Sequence, residues 1–150
     1  MKRAFITGGS GFVGRRVIAI LVERGIPVRA LARSEQAAIT VRLRGDLDDV
    51  APMTAGMRGC DVVIHAAAHV KQHGPLAELM KINVAGTDHV LAAAVKRVVH
   101  VSTEAVLADG HAIVRADETR PYPAKPVGPY PFTKSLAEQR VRAAQGLGPR

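Results

Sequence analysis

A doubly wound parallel sheet of the α/β class, in three αβα layers, is the fold this 150-residue sequence predicts, on three observations. Short apolar runs alternate with segments of helical period, the pattern of strands joined by crossover helices. A glycine cluster, "TGGSGFVG" at residues 7–14, separates the first apolar run from the first helical segment. The run "CDVVIHAAA" at 60–68 is almost continuously apolar, as in a strand covered on both faces.

The first strand is expected over residues 2–7, "KRAFIT", and the first helix over 12–24, "FVGRRVIAILVER", where apolar positions recur at helical spacing. Gly25 stops that helix, and "IPVRALAR" (26–33) reads as strand two, with Val28, Ala30 and Ala32 small or β-branched. "TVRLRGDL" (40–47) is a candidate third strand, and 60–68 the fourth. A long helix follows over 75–94, then strand five, "VKRVVHVST" (95–103), and a last helix, "PFTKSLAEQRVRAA" (131–144). Between these two lies "EAVLADGHAIVRADETRPYPAKPVGP", rich in Pro and Gly and without a period, the kind of segment that often forms an active-site loop. Two joints are short: "HVLAAA" runs into "VKRVVHVS" with no turn residue, and "RSEQAAITVRLRGD" leaves little room for a helix between strands two and three. Either the loops are abbreviated there or residues are missing. No sixth strand follows the last helix.

The composition, 47% hydrophobic, is that of a folded soluble chain with an adequate core. No apolar run is long enough for a membrane span and the charged "MKRAFITGG" is no secretory leader, so a cytoplasmic protein is expected. The single Cys60 cannot form an internal disulfide and reads as a small buried residue before a strand. A net charge of +8 points to an anionic partner. Scattered basic residues with only two Tyr and three Phe argue against nucleic acid, whose single strands lean on aromatic platforms, and leave a membrane surface, a phosphorylated small molecule or simply an Arg-rich solvated surface.

Gly8, Gly11 and Gly14 stand at the spacing G-x-x-G-x-x-G. Glycine is required where the backbone turns at positive φ and where it approaches a pyrophosphate without a Cβ. The helix opening at Phe12 and Val13 then presents its free N–H groups and positive dipole end to phosphates. At the end of strand two an acidic residue would accept from an unphosphorylated ribose, but this chain has Arg33 and Ser34. A guanidinium suits a 2′-phosphate, so NADP(H) is favoured and NAD(H) is possible. Asp46, followed by Leu47, comes after strand three and could meet the adenine amino group or serve an ordinary turn. His65, His69 and His73 are spaced by four, but they straddle a strand end and a loop rather than one helix, so no metal site is expected.

In their order, "TGGSGFVG", "GDL", "HAAA", the Asn83 of "INVAGT", "VVHVST" and "YPFTK" resemble the extended short-chain dehydrogenase/reductase family, the NAD-dependent epimerase/dehydratase group, over nearly the whole chain. "VSTEAVLADGHAIVRADETRPYP" followed by "GPYPFTKSLAEQRV" looks most like its 3β-hydroxysteroid dehydrogenase-like branch. The resemblance implies a Rossmann fold and an oxidoreductase acting on a steroid-like or nucleotide-sugar-like small molecule, with an epimerase/dehydratase or a non-catalytic NADP(H)-binding sensor as alternatives. It implies Tyr130 as general acid/base with Lys134 beside it, both also facing the cofactor. A nearby ammonium is expected to lower the phenol's pKa, since a phenol near 10 is a poor base at neutral pH. Thr103 matches the hydroxyl that holds the substrate oxygen, with Ser102 its neighbouring candidate, and Asn83 the asparagine that supports the site. Ala66, Ala67 and Ala68 would leave space for the cofactor. Leu107 replaces the aromatic residue of many sugar-modifying relatives, and Ala105 after Glu104 removes the acidic pair that dehydration needs. A homodimer through the helices of Asn83 and Tyr130 is implied. Residues 1–150 read as the dinucleotide-binding domain, without the family's C-terminal substrate-binding portion.

Overall fold

The structure, a computed structural model, describes residues 1–32, 42–71, 74–94 and 97–146. Five parallel strands, β1 (Ala4–Thr7), β2 (Val28–Ala32), β3 (Arg42–Arg44), β4 (Val62–His65) and β5 (Val98–His100), form one sheet in the order β3–β2–β1–β4–β5. The helical elements are, in chain order, α1 (Phe12–Glu23), α2 (Val50–Met57), α3 (Leu76–Leu79), a π-helical turn (Met80–Ala85), α4 (Gly86–Ala93), a 3-10 turn (Glu104–Leu107) and α5 (Pro129–Ala144). α3, the π-helical turn and α4 together occupy the long helix read at 75–94. Both short joints noted in the sequence fall largely on residues 33–41 and 95–96, outside the described residues.

The chain divides into two compact units, one of residues 1–68 with 89–101, the other of residues 69–88 with the chain from Ser102 onward. The first holds the whole sheet. β1 is buried along its length, and its side chains alternate between two cores. Ala4 and Ile6 pack with Ile18 and Leu21 of α1 and with Val28 and Ala30 of β2. Phe5 points to the opposite face, where α2 lies. A Cβ built on Gly56 would stand 2.1 Å from Leu43 Cδ1 and 2.9 Å from Phe5 Cε2, so the glycine lets α2 press onto that face. Helices thus cover both faces of the sheet, as a doubly wound fold requires.

α2 is absent from the sequence reading. Pro52 and Gly56 weaken its helical signal, yet Pro52 falls in the first turn, where a missing N–H breaks no helical bond. β1 is shorter than its apolar run because the amides of Lys2 and Arg3 donate to the Asp61 carboxylate, at 2.5 and 3.2 Å, instead of joining the ladder. Cys60 is buried as expected, and burial pushes its thiol pKa up.

In the second unit, α5 packs against α3 and the π-helical turn. It buries Thr133, Lys134, Ser135, Ala137, Glu138 and Val141, a mostly polar face that no hydrophobic core demands. That composition makes α5 the element to search for chemistry.

Candidate active site

In the first unit, the turn after β1 is shaped by backbone contacts that exclude side chains. Gly8 has φ +72°, and a Cβ there would stand 2.6 Å from the amide nitrogen of Ala67. A Cβ on Gly14 would stand 2.1 Å from the Gly8 carbonyl oxygen, which also accepts from the Gly11 N–H at 3.0 Å. The strand order reverses between β1 and β4, and this close approach of Gly8 to Ala66 and Ala67 lies at that switch point, at the carboxyl ends of both strands. α1 begins with no side-chain cap and no acidic residue in its first turn, and Phe12 and Val13 are exposed. Its first N–H groups and positive dipole end are therefore available to an anion such as a pyrophosphate.

Beneath the turn lies a set the sequence reading missed. The buried Thr7 hydroxyl is hydrogen-bonded to His65 Nδ1 at 2.6 Å and accepts from the Ala67 N–H at 3.4 Å, while the His65 ring packs on that of His100 with centroids 5.2 Å apart. Thr7 opens the quoted "TGGSG" but carries no signal of its own. Asp46 forms a local turn: its carboxylate accepts from the Leu47 N–H at 2.8 Å, and its own N–H donates to Asp49 Oδ2 at 2.7 Å. Leu47 is buried and its carbonyl accepts from His89 Nδ1 at 3.0 Å. Arg33, Ser34 and His73 lie outside the described residues.

The second unit gathers Asn83, Ser102, Thr103, Tyr130 and Lys134. Pro129 and Tyr130 open α5 after Gly128, which turns the chain in at φ +89°. Lys134 follows one turn later, on the same face as Tyr130. Thr103 acts on the Tyr130 phenol as a hydrogen-bonding neighbour that favours its ionised form. Asn83, 2% exposed, sits in the π-helical turn, where the widened backbone is typical of functional positions. Its Oδ1 accepts from the His69 N–H at 2.7 Å, and its Nδ2 donates to the His69 carbonyl and to Thr133 Oγ1, both at 3.1 Å. One amide thus fixes the chain at His69 and the first turns of α5. Ser102 is committed elsewhere: its hydroxyl donates to Glu138 Oε2.

Electrostatics correct one expectation. Burial, the largest effect, raises the Tyr130 phenol above 10; the Thr103 hydrogen bond opposes it and the charge of Glu104 adds to it. The expected lowering by Lys134 is not found. Lys134 is itself depressed, to about 8, chiefly by burial, with Glu138 acting the other way. At neutral pH the cluster presents a protonated phenol beside a buried ammonium, suited to giving a proton to an oxygen that gains negative charge. Glu138 and Tyr122, whose phenol donates to Glu138 Oε1 at 2.9 Å, complete the cluster and were not anticipated. The spacing of Lys134 and Glu138 on one helix face was the signal available for the first.

Residues 5–148 match the 3-beta hydroxysteroid dehydrogenase/isomerase family. The chain is 49% identical to a 4-hydroxy-2-methyl-3-oxo-4-farnesyl-3,4-dihydroquinoline-1-oxide ketoreductase of Stigmatella aurantiaca, over 97% of this chain and 47% of the relative. Its fold is similar to that of a short-chain dehydrogenase/reductase superfamily protein from Agrobacterium tumefaciens solved with bound NAD, with TM-score 0.81 and 29% identity over 95% of this chain and 45% of the other. It is also similar to MoeE5 in complex with UDP-glucose and NAD, with TM-score 0.83 and 26% identity over 97% and 50%. The chain spans about half the length of the curated relatives it matches.

Two outcomes follow from this geometry. Asn83→Ala strands the His69 N–H and carbonyl and should lower stability by about 2–4 kcal/mol in urea denaturation, with faster amide exchange at His69. Lys134 titrates at about 8 in the fold and near 10.5 when exposed, so across that window the unfolded chain holds a proton the folded chain lacks, and stability rises with pH. Below about pH 8 the burial of the ammonium weighs in full. Urea midpoints at about pH 7.5 and about pH 10 should show a gain that Lys134→Met lacks, and parallel behaviour of the two proteins would contradict the burial.

Proposed function

We propose that this chain, which belongs to the 3-beta hydroxysteroid dehydrogenase/isomerase family, is the dinucleotide-binding and proton-transfer part of an NAD(P)-dependent oxidoreductase that interconverts an alcohol and a ketone. The observation that carries the reading is the Tyr130 phenol, held by Thr103 and one helical turn from the buried Lys134. A bound nicotinamide dinucleotide supplies or accepts the hydride. Gly8, Gly11 and Gly14 fit its pyrophosphate, because the turn excludes a Cβ at Gly8 and Gly14 and α1 opens uncapped. The small Ala66, Ala67 and Ala68 leave it room, and Asp46 with Leu47 would meet the adenine end.

In the reductive direction Tyr130 gives its proton to the carbonyl oxygen as the adjoining carbon becomes a C–H centre. The phenol's raised pKa keeps that proton in place at neutral pH. Thr103 orients the phenol and the substrate oxygen. Lys134 lends positive charge as the phenolate forms, and Asn83 holds His69 and α5 in register. In the oxidative direction the same phenol, as phenolate, recovers the proton, which requires higher pH.

An apolar, steroid-like ketone is the favoured substrate class. Val114 and Val127 are exposed on the segment leading to Tyr130, and a relative is named as reductase of a 3-oxo-4-farnesyl compound. The likeness to MoeE5 bound to UDP-glucose supports a second reading, a nucleotide-sugar epimerase. NADP(H) is favoured over NAD(H) on the strength of Arg33 in the sequence, although the Agrobacterium neighbour was solved with NAD. A cytoplasmic homodimer through the helices of Asn83 and Tyr130 belongs to the same reading. Among the described residues no helix is long and apolar enough to cross a membrane.

Tyr130→Phe should reduce ketone turnover by about a hundredfold or more while leaving NADPH binding unchanged by fluorescence titration; retained activity would remove Tyr130 as the acid. Thermal shifts should be larger with NADPH than with an equal concentration of NADH, and equal shifts would end the NADP preference. Interconversion of UDP-sugars without loss of hydride to solvent cofactor would select the epimerase.

A further inference from the structure

Proton transfer as described makes no use of Glu138, yet Glu138 is only 6% exposed, and a buried carboxylate is costly unless it is paired and hydrogen-bonded. Three groups from three stretches of chain meet it. The Ser102 hydroxyl donates to one carboxylate oxygen, and the Tyr122 phenol donates to the other at 2.9 Å. The third is Lys134, four residues earlier on α5, whose ammonium the Glu138 charge favours.

We propose that Glu138 is a positioning residue for the reaction proposed above: it anchors residues 108–127 to α5 through Tyr122, engages the Ser102 hydroxyl, and balances the Lys134 charge. This rests on the reading of Tyr130 and Lys134 as the proton-transfer pair.

Two further ties of that segment are weaker. Its ends are joined by the Val127 N–H donating to the Ala108 carbonyl at 3.3 Å, and Arg120 reaches Asp109 at 3.3 Å, near the surface where ion pairs contribute little. The Tyr122–Glu138 bond is charge-assisted and ends on a buried group, so it outweighs them. A carboxylate is required, since both partners donate and a glutamine offers only one accepting oxygen. The charge matters separately, because once the carboxylate is gone Lys134 loses the charge that opposes the effect of burial.

The test reads the folded chain without turnover. In protein with labelled lysine side chains, NMR titration should place Lys134 at about 8, and Glu138→Gln should lower that value by about one pH unit or more. Tyr122→Phe should leave the Lys134 titration in place but speed amide exchange across residues 117–127 about tenfold. An unmoved Lys134 in Glu138→Gln, or unmoved exchange in Tyr122→Phe, overturns the proposal. If Glu138→Gln does not fold, Tyr122→Phe decides alone. Because neither readout involves catalysis, a Tyr130→Phe protein that stayed active would refute the proton-donor assignment and leave these results standing.

Discussion

The backbone of Gly8 passes so close to that of Ala66 and Ala67 that no side chain fits between them, and the sheet end of the first unit is organised by that approach. It brings the carboxyl ends of β1 and β4 together at the point where the strand order reverses. It fixes where the Gly8 carbonyl points, and that carbonyl in turn excludes a Cβ at Gly14, one turn into α1. Thr7 and His65 make the approach durable. Their buried hydrogen bond joins the last residues of the two strands, and Thr7 also takes the Ala67 N–H. The open N-terminus of α1 is thus a consequence of strand packing rather than an independent feature.

In the second unit the governing constraint is the burial of Lys134. A buried ammonium resists its charge, and here its pKa falls to about 8 even with Glu138 nearby. A chain selected only for stability would place a neutral side chain at that position. Keeping the lysine fits the proposed reaction, in which positive charge is needed at the instant the Tyr130 phenol gives up its proton. The raised Tyr130 fits that order of events, since a phenol already ionised at rest could accept a proton but not donate one.

What was legible in the sequence follows from how local each determinant is. The five strands, the glycine turn and α5 announce themselves through apolar runs, glycine spacing and period, and all appear in the structure. α2 was hidden because Pro52 and Gly56 look like loop residues, and their fitness for a helix depends on Leu43 and Phe5, far away in sequence. Asn83 was identified through family resemblance, but its role as a clamp on His69 needed the fold. Tyr122 and Thr7 were invisible for the same reason: their partners lie 16 and 58 residues away. The expected lowering of the Tyr130 pKa failed because a pairwise argument from Lys134 ignored burial, the largest effect on the phenol, and the charge of Glu104.

The segment between the 3-10 turn and α5 shows how a stretch without period can still be specified. Its two ends meet through Val127 and Ala108, so it closes on itself like a compact surface loop instead of spanning a distance. Asp117 caps a tight turn within it, accepting from both the backbone N–H and the hydroxyl of Thr119. These local bonds limit the conformations open to the segment but do not orient it, because none reaches another element. Tyr122 supplies a long-range bond, to Glu138 on α5. Loop order and the charge balance of Lys134 therefore converge on the Glu138 carboxylate, so a substitution there couples the placement of the segment to the electrostatics of Lys134.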